Sequence, residues 1–191
     1  MPIWANLKEK SIQHRIKRGD NQAFVWLYDQ YAPQIYRFIL LKTSSVHDAE
    51  DLTSETFLRF WKNCQKDKGN AVRVSVRNPR GFLYQIARNI VIDYWRKKSK
   101  QEITPNEKEE EKIERIESND PDLSQKAVLS SDMEQVKLAL NKIKPNYQDL
   151  IIWHYLDDFS VKEIAQIMEK PENTIRVQIH RAVKSLKSVM K

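Results

Sequence analysis

Residues 160–187 read SVKEIAQIMEKPENTIRVQIHRAVKSLK, a pattern that predicts two short helices joined by a tight turn. Ser160 can cap the first helix, and Glu163 stands at the spacing that completes a capping box. Pro171 can begin the second helix but cannot lie inside the first. Two such helices, with a basic outer face on the second, are what a helix-turn-helix needs to enter a DNA major groove.

The second helix of this pair has one apolar side and one polar side. Its apolar residues repeat at spacings of four, three, four and three, as Ile175, Ile179, Ala182, Leu186 and Val189. The candidate DNA-reading residues lie on the opposite face and at its edges: Asn173, Thr174, Arg176, Val177, Gln178, His180, Arg181 and Lys184. An ordinary helical hairpin with a solvated basic face is the alternative for this motif taken alone.

Composition limits the class of protein. The 191 residues include 33 Lys and Arg against 26 Asp and Glu, a net charge of +7. The pI of about 9.4 favours a nucleic-acid partner. A single cysteine, Cys64, excludes an internal disulfide and a cysteine metal cluster, and we expect no metal and no other cofactor. Without a signal peptide or a membrane-spanning run, the chain is expected to be cytoplasmic.

The distribution of apolar residues predicts an all-α fold of two small helical domains. Only three glycines occur, which argues against glycine-rich phosphate loops and hairpin-rich β folds. An N-terminal helical bundle is expected over residues 1–98, and a four-helix domain with the helix-turn-helix over residues 132–191. Residues 99–131 carry nine acidic and five basic side chains, a net charge of −4, which predicts a flexible acidic linker.

Three longer helices are predicted in the N-terminal domain. Asp20 is expected to cap the first, and Pro33 to kink it or split it at Ala32. Asp48 is expected to cap the second, and Pro79 begins the third.

The third of these helices combines basic and aromatic side chains. Its predicted outer face carries Gln85, Arg88, Asn89, Ile92 and Arg96, flanked by Tyr84 and Trp95. Cations can meet phosphates and rings can stack on unpaired bases, so this face suits single-stranded or melted nucleic acid. The alternative is a solvated amphipathic helix whose Trp95 packs on a neighbour.

The second helix exposes one leucine among polar groups. At 100° per residue, Leu58 points away from the buried face and lies among Asp51, Ser54 and Glu55. A lone exposed leucine usually has no function. Ringed by carboxylates in a basic protein, it is a candidate docking site for a basic partner helix.

Four stretches in this order resemble bacterial sigma factors of the extracytoplasmic-function type. They read GDNQAFVWLYDQYAPQIYRF, DAEDLTSETFLRFWK, NPRGFLYQIARNIVIDYWRK and YLDDFSVKEIAQIMEKPENTIRVQIHRAVKSL. The resemblance covers about residues 20–98 and 132–188 and leaves out the N-terminal tail and the linker.

The resemblance implies roles and partners. Asp51, Ser54, Glu55 and Leu58 would bind the clamp helices of core RNA polymerase. The third helix would recognise and melt the promoter −10 element, and the helix-turn-helix would read the −35 element. The linker would run near the polymerase active-site cleft, and an anti-sigma factor is a further expected partner. The candidates for −10 recognition are Arg80, Tyr84, Arg88, Asn89, Tyr94, Trp95, Arg96 and Lys97.

One departure from the family pattern affects promoter choice. Relatives commonly have Lys-Ser-Arg-Leu-His-Arg-Ala-Arg after the threonine, whereas this chain has Val177 for the Ser, Gln178 for the Arg and Val183 for the last Arg. An apolar side chain at position 177 could contact a thymine methyl group. We therefore expect a −35 preference that differs from that of better-matched relatives.

Two other classes of protein are weighed against this interpretation. A stand-alone helix-turn-helix regulator would bind duplex DNA without polymerase, but it leaves the basic-aromatic helix and Leu58 unexplained. A nuclease would need a catalytic constellation, and His154 and His180 fit no spaced metal or acid–base cluster. The expected protein is therefore not an enzyme and has no small-molecule substrate.

Overall fold

The computed structural model describes residues 15–16, 18–66, 78–103 and 131–190, and every regular element in these ranges is helical. The predicted all-α fold is confirmed. In chain order the elements are α1 (Asn21–Thr43), α2 (Val46–Lys66), α3 (Pro79–Ile103), α4 (Ser131–Asn141), α5 (Pro145–Ile151), α6 (Val161–Met168) and α7 (Glu172–Val189), and a π-helical turn (Ile152–Leu156) continues α5. Most of the predicted linker, residues 104–130, lies outside the described residues.

Helix α1 begins as the sequence predicts. The Asp20 carboxylate accepts hydrogen bonds from the backbone N–H of Gln22 at 2.9 Å and of Ala23 at 3.3 Å. The alternative that Pro33 splits the helix is wrong, because one helix runs through it to Thr43. The buried side chains of Tyr31 and Ile35 flank the proline and anchor both parts of the helix in the core.

The cap predicted for α2 is wrong by three residues. The Ser45 hydroxyl accepts a hydrogen bond at 3.3 Å from the backbone N–H of Asp48, so Ser45 is the cap and Asp48 lies in the first turn. The Asp48 carboxylate instead accepts a hydrogen bond at 2.9 Å from the hydroxyl of Tyr94. This bond ties the start of α2 to α3.

Helices α1, α2 and α3 pack together and form the N-terminal half. Ring centroids of Phe24 and Trp61 lie 4.7 Å apart, and those of Phe60 and Phe82 lie 5.7 Å apart. Helix α3 continues to Ile103, five residues into the range predicted for the linker.

Helices α4 to α7 form the C-terminal half. Pro145 begins α5, and the predicted capping box of α6 is present. In that box the Ser160 hydroxyl accepts from the Glu163 N–H at 3.2 Å, and the Glu163 carboxylate accepts from the Ser160 N–H at 2.9 Å. Glu169 ends α6 in a left-handed conformation with φ 54°, which turns the chain into α7. The expected helix-turn-helix is therefore formed.

The two halves share one hydrophobic core. Trp153, on the π-helical turn, is fully buried between Phe38 of α1 and Tyr84 of α3, with ring centroids 5.8 and 6.3 Å apart. Phe159 packs on the other side of Tyr84 at 4.8 Å. The N-terminal and C-terminal halves are thus docked against each other through α3. Within the described ranges, no helix is long and apolar enough to cross a lipid bilayer.

Candidate nucleic-acid interface

Helix α7 presents its predicted DNA-reading face to solvent. Its apolar stripe is buried at Ile175, Ile179 and Ala182, so the opposite side faces outward. Seven of the eight candidates are exposed and Gln178 is half-buried; the exposed ones are Asn173, Thr174, Arg176, Val177, His180, Arg181 and Lys184. A convex helical surface with three cations, Arg176, Arg181 and Lys184, can enter a major groove while those cations meet phosphates.

Val177 is the apolar member of this outward face. Its side chain is 51% exposed although it lies among polar and basic neighbours. An exposed branched apolar group in the middle of a reading face has the shape to contact a thymine methyl group. Val177 is therefore the exposed apolar side chain of this face.

The eight candidates on α3 separate into two groups. Those in the C-terminal part of the helix are exposed or half-buried: Asn89, Tyr94, Trp95, Arg96 and Lys97. Tyr94 and Trp95 form an edge-to-face pair with centroids 5.3 Å apart. The Lys98 ammonium lies 5.7 and 5.4 Å from their ring centroids. This end of α3 combines cations with an exposed ring, as stacking on unpaired bases requires.

The remaining candidates, Arg80, Tyr84 and Arg88, lie against the C-terminal half. The Arg80 guanidinium stacks on the Phe159 ring at 3.8 Å and donates to the backbone carbonyl of Asp157. Arg88 donates from Nε to the Asp149 carboxylate at 2.9 Å.

Tyr84 was expected on the outer flank of α3, and that expectation is wrong. The C-terminal half covers this face, so Tyr84 has no solvent exposure. Burial also raises the pKa of its hydroxyl well above the usual value.

The candidate polymerase-binding face lies on α2. Asp51, Ser54 and Leu58 are exposed and Glu55 is half-exposed, in an ion pair with Arg59. Leu58 is not isolated, because it borders a shallow apolar cleft of about 260 Å³. The cleft is also lined by Phe24, Tyr28, Phe57 and Trp61. Trp61 was not predicted to be part of this surface, although it lies one helical turn after Leu58.

Two buried acidic residues of the C-terminal half were also missed. Asp149 and Asp157 have side chains that are 4% and 0% exposed, and both are paired with basic residues of the N-terminal half. No group of three or more metal-ligating side chains that could hold a metal ion occurs in the described part of the chain.

Two sequence families match this chain in order. Residues 27–101 match the family described as Sigma-70 region 2, and residues 133–186 match Sigma-70, region 4. The first covers α1 to α3 from Leu27 onward, and the second covers α4 to α7 from Met133 onward.

Curated relatives match over most of the chain. The chain is 31% identical over 169 residues to the ECF RNA polymerase sigma factor SigM of Bacillus subtilis, covering 85% of this chain and 92% of SigM. It is 29% identical over 181 residues to SigW of the same species, covering 93% and 94%. A third relative, BldN of Streptomyces coelicolor, is 31% identical over 175 residues; the match covers 90% of this chain but only 62% of BldN.

Solved structures share the fold. CnrH in complex with the cytosolic domain of CnrY matches with a TM-score of 0.66 at 15% identity, covering 95% of this chain and 96% of that one. RpoE in complex with the anti-sigma factor NepR from Bartonella quintana matches with a TM-score of 0.62 at 22% identity, covering 87% and 96%. At these identities the likeness supports the fold alone.

Proposed function

This chain belongs to the extracytoplasmic-function RNA polymerase sigma factors of the sigma-70 family, and we propose that three exposed helical faces contact the −35 element, the −10 element and core polymerase. As a sigma factor it directs core RNA polymerase to specific promoters and assists their melting. The observation that carries the proposal is the open basic face of α7 within a chain that matches region 2 and region 4 in order.

Helix α7 reads the −35 element in this proposal. Its exposed cations supply phosphate contacts that hold the helix in register, and the central side chains face the base edges. Val177 gives that surface an apolar contact point, so a thymine at the facing position is favoured. This supports a −35 preference unlike that of relatives with serine there.

Helix α3 contacts the −10 element. Trp95 and Tyr94 offer rings to unstacked bases, while Arg96 and Lys97 neutralise the nearby phosphates. Capture of an unpaired base offsets a few kcal/mol of lost stacking and so favours the melted state. Arg80 and Tyr84 belong to the same proposed surface but are buried in this structure, and Arg88 is partly buried and paired with Asp149.

The face of α2 around Leu58 binds the clamp helices of core polymerase. Exposed carboxylates suit a basic partner, and the apolar cleft beside Leu58 can accept a side chain from it. The relatives are sigma factors, and we extend this to the proposal that the chain has no catalytic activity of its own and acts in the cytoplasm. An anti-sigma factor is a further proposed partner, as in the solved complex of RpoE with the anti-sigma factor NepR.

In vitro transcription tests this function. The purified chain is mixed with core polymerase that lacks its own sigma factor, on a genomic promoter library, and specific transcripts are expected. Arg181→Ala should reduce promoter affinity about tenfold, because it removes a cation from the reading face. Lys142→Ala removes an equal charge from an exposed turn away from that face and serves as the matched control.

Two outcomes contradict the proposal. The first is the absence of a stable complex with core polymerase and of directed RNA synthesis. The second is equal loss in the two variants. A gel shift on promoter duplex with and without core polymerase separates the sigma factor from a stand-alone regulator, which would bind equally in both. The stand-alone alternative is not favoured, because it leaves the match of residues 27–101 to Sigma-70 region 2 unexplained.

A further inference from the structure

Asp48, in the first turn of α2, makes a polar contact with the C-terminal part of α3. Its carboxylate accepts a hydrogen bond at 2.9 Å from the hydroxyl of Tyr94, and both residues are half-buried. A hydrogen bond with a charged partner is about twice as strong as one between neutral groups. This bond is therefore a strong restraint on the direction in which the Tyr94 ring points.

The Tyr94 hydroxyl has a second partner on its own helix. Lys98, one helical turn later, donates to the hydroxyl oxygen at 3.4 Å. Burial and then the bond to Asp48 raise the pKa of Tyr94, so the phenol stays protonated and remains the donor at neutral pH. The hydroxyl end of the ring is thus held from α2, while the backbone of Tyr94 is held in α3.

The Tyr94 ring supports the more exposed ring beside it. Trp95 packs against it edge to face, with ring centroids 5.3 Å apart and ring planes at 76°. Trp95 is 41% exposed, and the Lys98 ammonium lies 5.4 Å from its ring centroid. The edge-to-face contact depends on the orientation of both rings, so a rotation of Tyr94 also releases Trp95. One hydrogen bond from α2 therefore orients both rings that are proposed to meet unpaired −10 bases.

Asp48 is unsuited to contact DNA itself, because a carboxylate repels phosphate. Its contribution to this surface is orientation. A tyrosine side chain adopts a few discrete rotamers, and the bond to Asp48 favours the one seen here.

We infer that Asp48 is a positioning residue for −10 recognition: it holds Tyr94, and through it Trp95, in the orientation that meets unpaired bases. This inference rests on the proposed role of α3 at the −10 element. When only a fraction of the molecules hold the rings in that orientation, the apparent dissociation constant equals the intrinsic one divided by that fraction. Loss of the bond therefore weakens binding of the unpaired strand without removing a group that contacts DNA.

Asp48→Ala removes the acceptor and tests this role. The probe is a labelled single-stranded oligonucleotide carrying the −10 element of a promoter selected by the wild-type holoenzyme. If the held orientation falls to about one-tenth of the molecules, holoenzyme with the variant binds the probe about tenfold more weakly. Glu50→Ala is the matched control, because it removes an equal charge from an exposed position two residues away. A general electrostatic effect would strengthen binding in both variants, since each removes a negative charge.

Two further variants distinguish positioning from a general loss of structure. Asparagine keeps an oxygen that can accept from Tyr94, so Asp48→Asn should recover most of the affinity for the probe. Tyr94→Phe keeps the ring but removes the donor and should match Asp48→Ala. The double variant should bind no more weakly than either single one, because both changes remove the same bond. The affinity for core polymerase should stay at the wild-type value in every variant.

The outcomes separate this inference from the proposed function. Wild-type affinity for the probe in Asp48→Ala or in Tyr94→Phe overturns the inference alone, as does an Asp48→Asn variant as weak as Asp48→Ala. A parallel loss of affinity for core polymerase in Asp48→Ala also overturns it, because α2 is then disturbed as a whole. A wild-type holoenzyme that neither binds the probe nor opens the promoter overturns the proposed function and the inference with it.

Discussion

Helices α3 and α7 both carry basic side chains proposed to meet DNA, yet α7 exposes its set and α3 covers part of its own. The apolar residues of α7 form one stripe, so one side packs and the other stays free. The N-terminal part of α3 is buried on several sides, at Leu83, Tyr84, Ile86, Ala87, Ile90 and Val91. Basic residues in this segment therefore contact neighbouring helices of the same chain, as Arg80 and Arg88 do.

The arginines of the two helices also differ in how far they are removed from water and paired with oxygens of the same chain. Arginines on α7 stay hydrated, and the ion pair of Arg176 with Glu172 at 3.5 Å is exposed and contributes little. Arg80 and Arg88 on α3 are paired with oxygens of the C-terminal half, with Arg80 only 6% exposed. The exposed set is available to DNA at once, whereas the paired set becomes available only when those contacts break.

The largest expected effect is a loss of folding stability on replacing Trp153, which packs on Tyr84 of α3. Trp153→Ala leaves a cavity between Phe38 and Tyr84 and should lower the free energy of unfolding by about 3–5 kcal/mol. Chemical denaturation followed by circular dichroism measures it. A loss below about 1 kcal/mol would show that the two halves do not share a core. Val177→Ala, at an exposed position on α7, is the matched control and should stay within about 0.5 kcal/mol of wild type.

The next effect concerns base selection by α7. Val177→Ser replaces the exposed apolar group with a hydroxyl and should change discrimination at one −35 position by about 1–3 kcal/mol. Selection of bound promoters by the wild-type and variant holoenzymes measures the change. Identical preferences would mean that Val177 makes no base contact. Lys142→Ala should leave the selected sequence unchanged.

The smallest effect concerns the helix that supports α7. Ser160→Ala removes the hydroxyl that accepts from the Glu163 N–H and should cost about 1 kcal/mol of unfolding free energy. Ser188→Ala, near the exposed end of α7, provides a comparison outside any N-cap. Thermal unfolding that shows the same loss in both variants would contradict the role of the capping box.

Local features of this fold follow from the sequence because their partners are a few residues away. The Ser160 capping box, the Asp20 cap and the apolar stripe of α7 each depend on spacings of two to four residues. The Asp48 prediction was wrong because two residues near the start of α2 can cap a helix and only packing decides between them: Tyr94 engages Asp48 and leaves the cap to Ser45.

Docking of the two halves could not be predicted in the same way. The pairs Arg37–Asp157 and Lys42–Asp149 join residues 120 and 107 positions apart, and no local spacing marks them. A weaker signal exists: Lys42 ends the apolar run from Phe38 to Leu41, and Asp149 precedes the apolar run from Leu150 to Trp153. A charged side chain that is itself buried beside such a run needs an opposite charge, although the sequence does not say which one.

Hydroxyl-radical footprinting of the free chain measures the difference between exposed and covered rings on α3 most directly. Trp95 is 41% exposed and Tyr84 has no exposure, and both are readily oxidised aromatic side chains on one helix. Rapid oxidation of Trp95 with protection of Tyr84 is expected, and Tyr84 should become reactive in the Asp149→Asn variant. Oxidation of Tyr84 as fast as Trp95 in the wild-type chain would contradict the docked arrangement of the two halves.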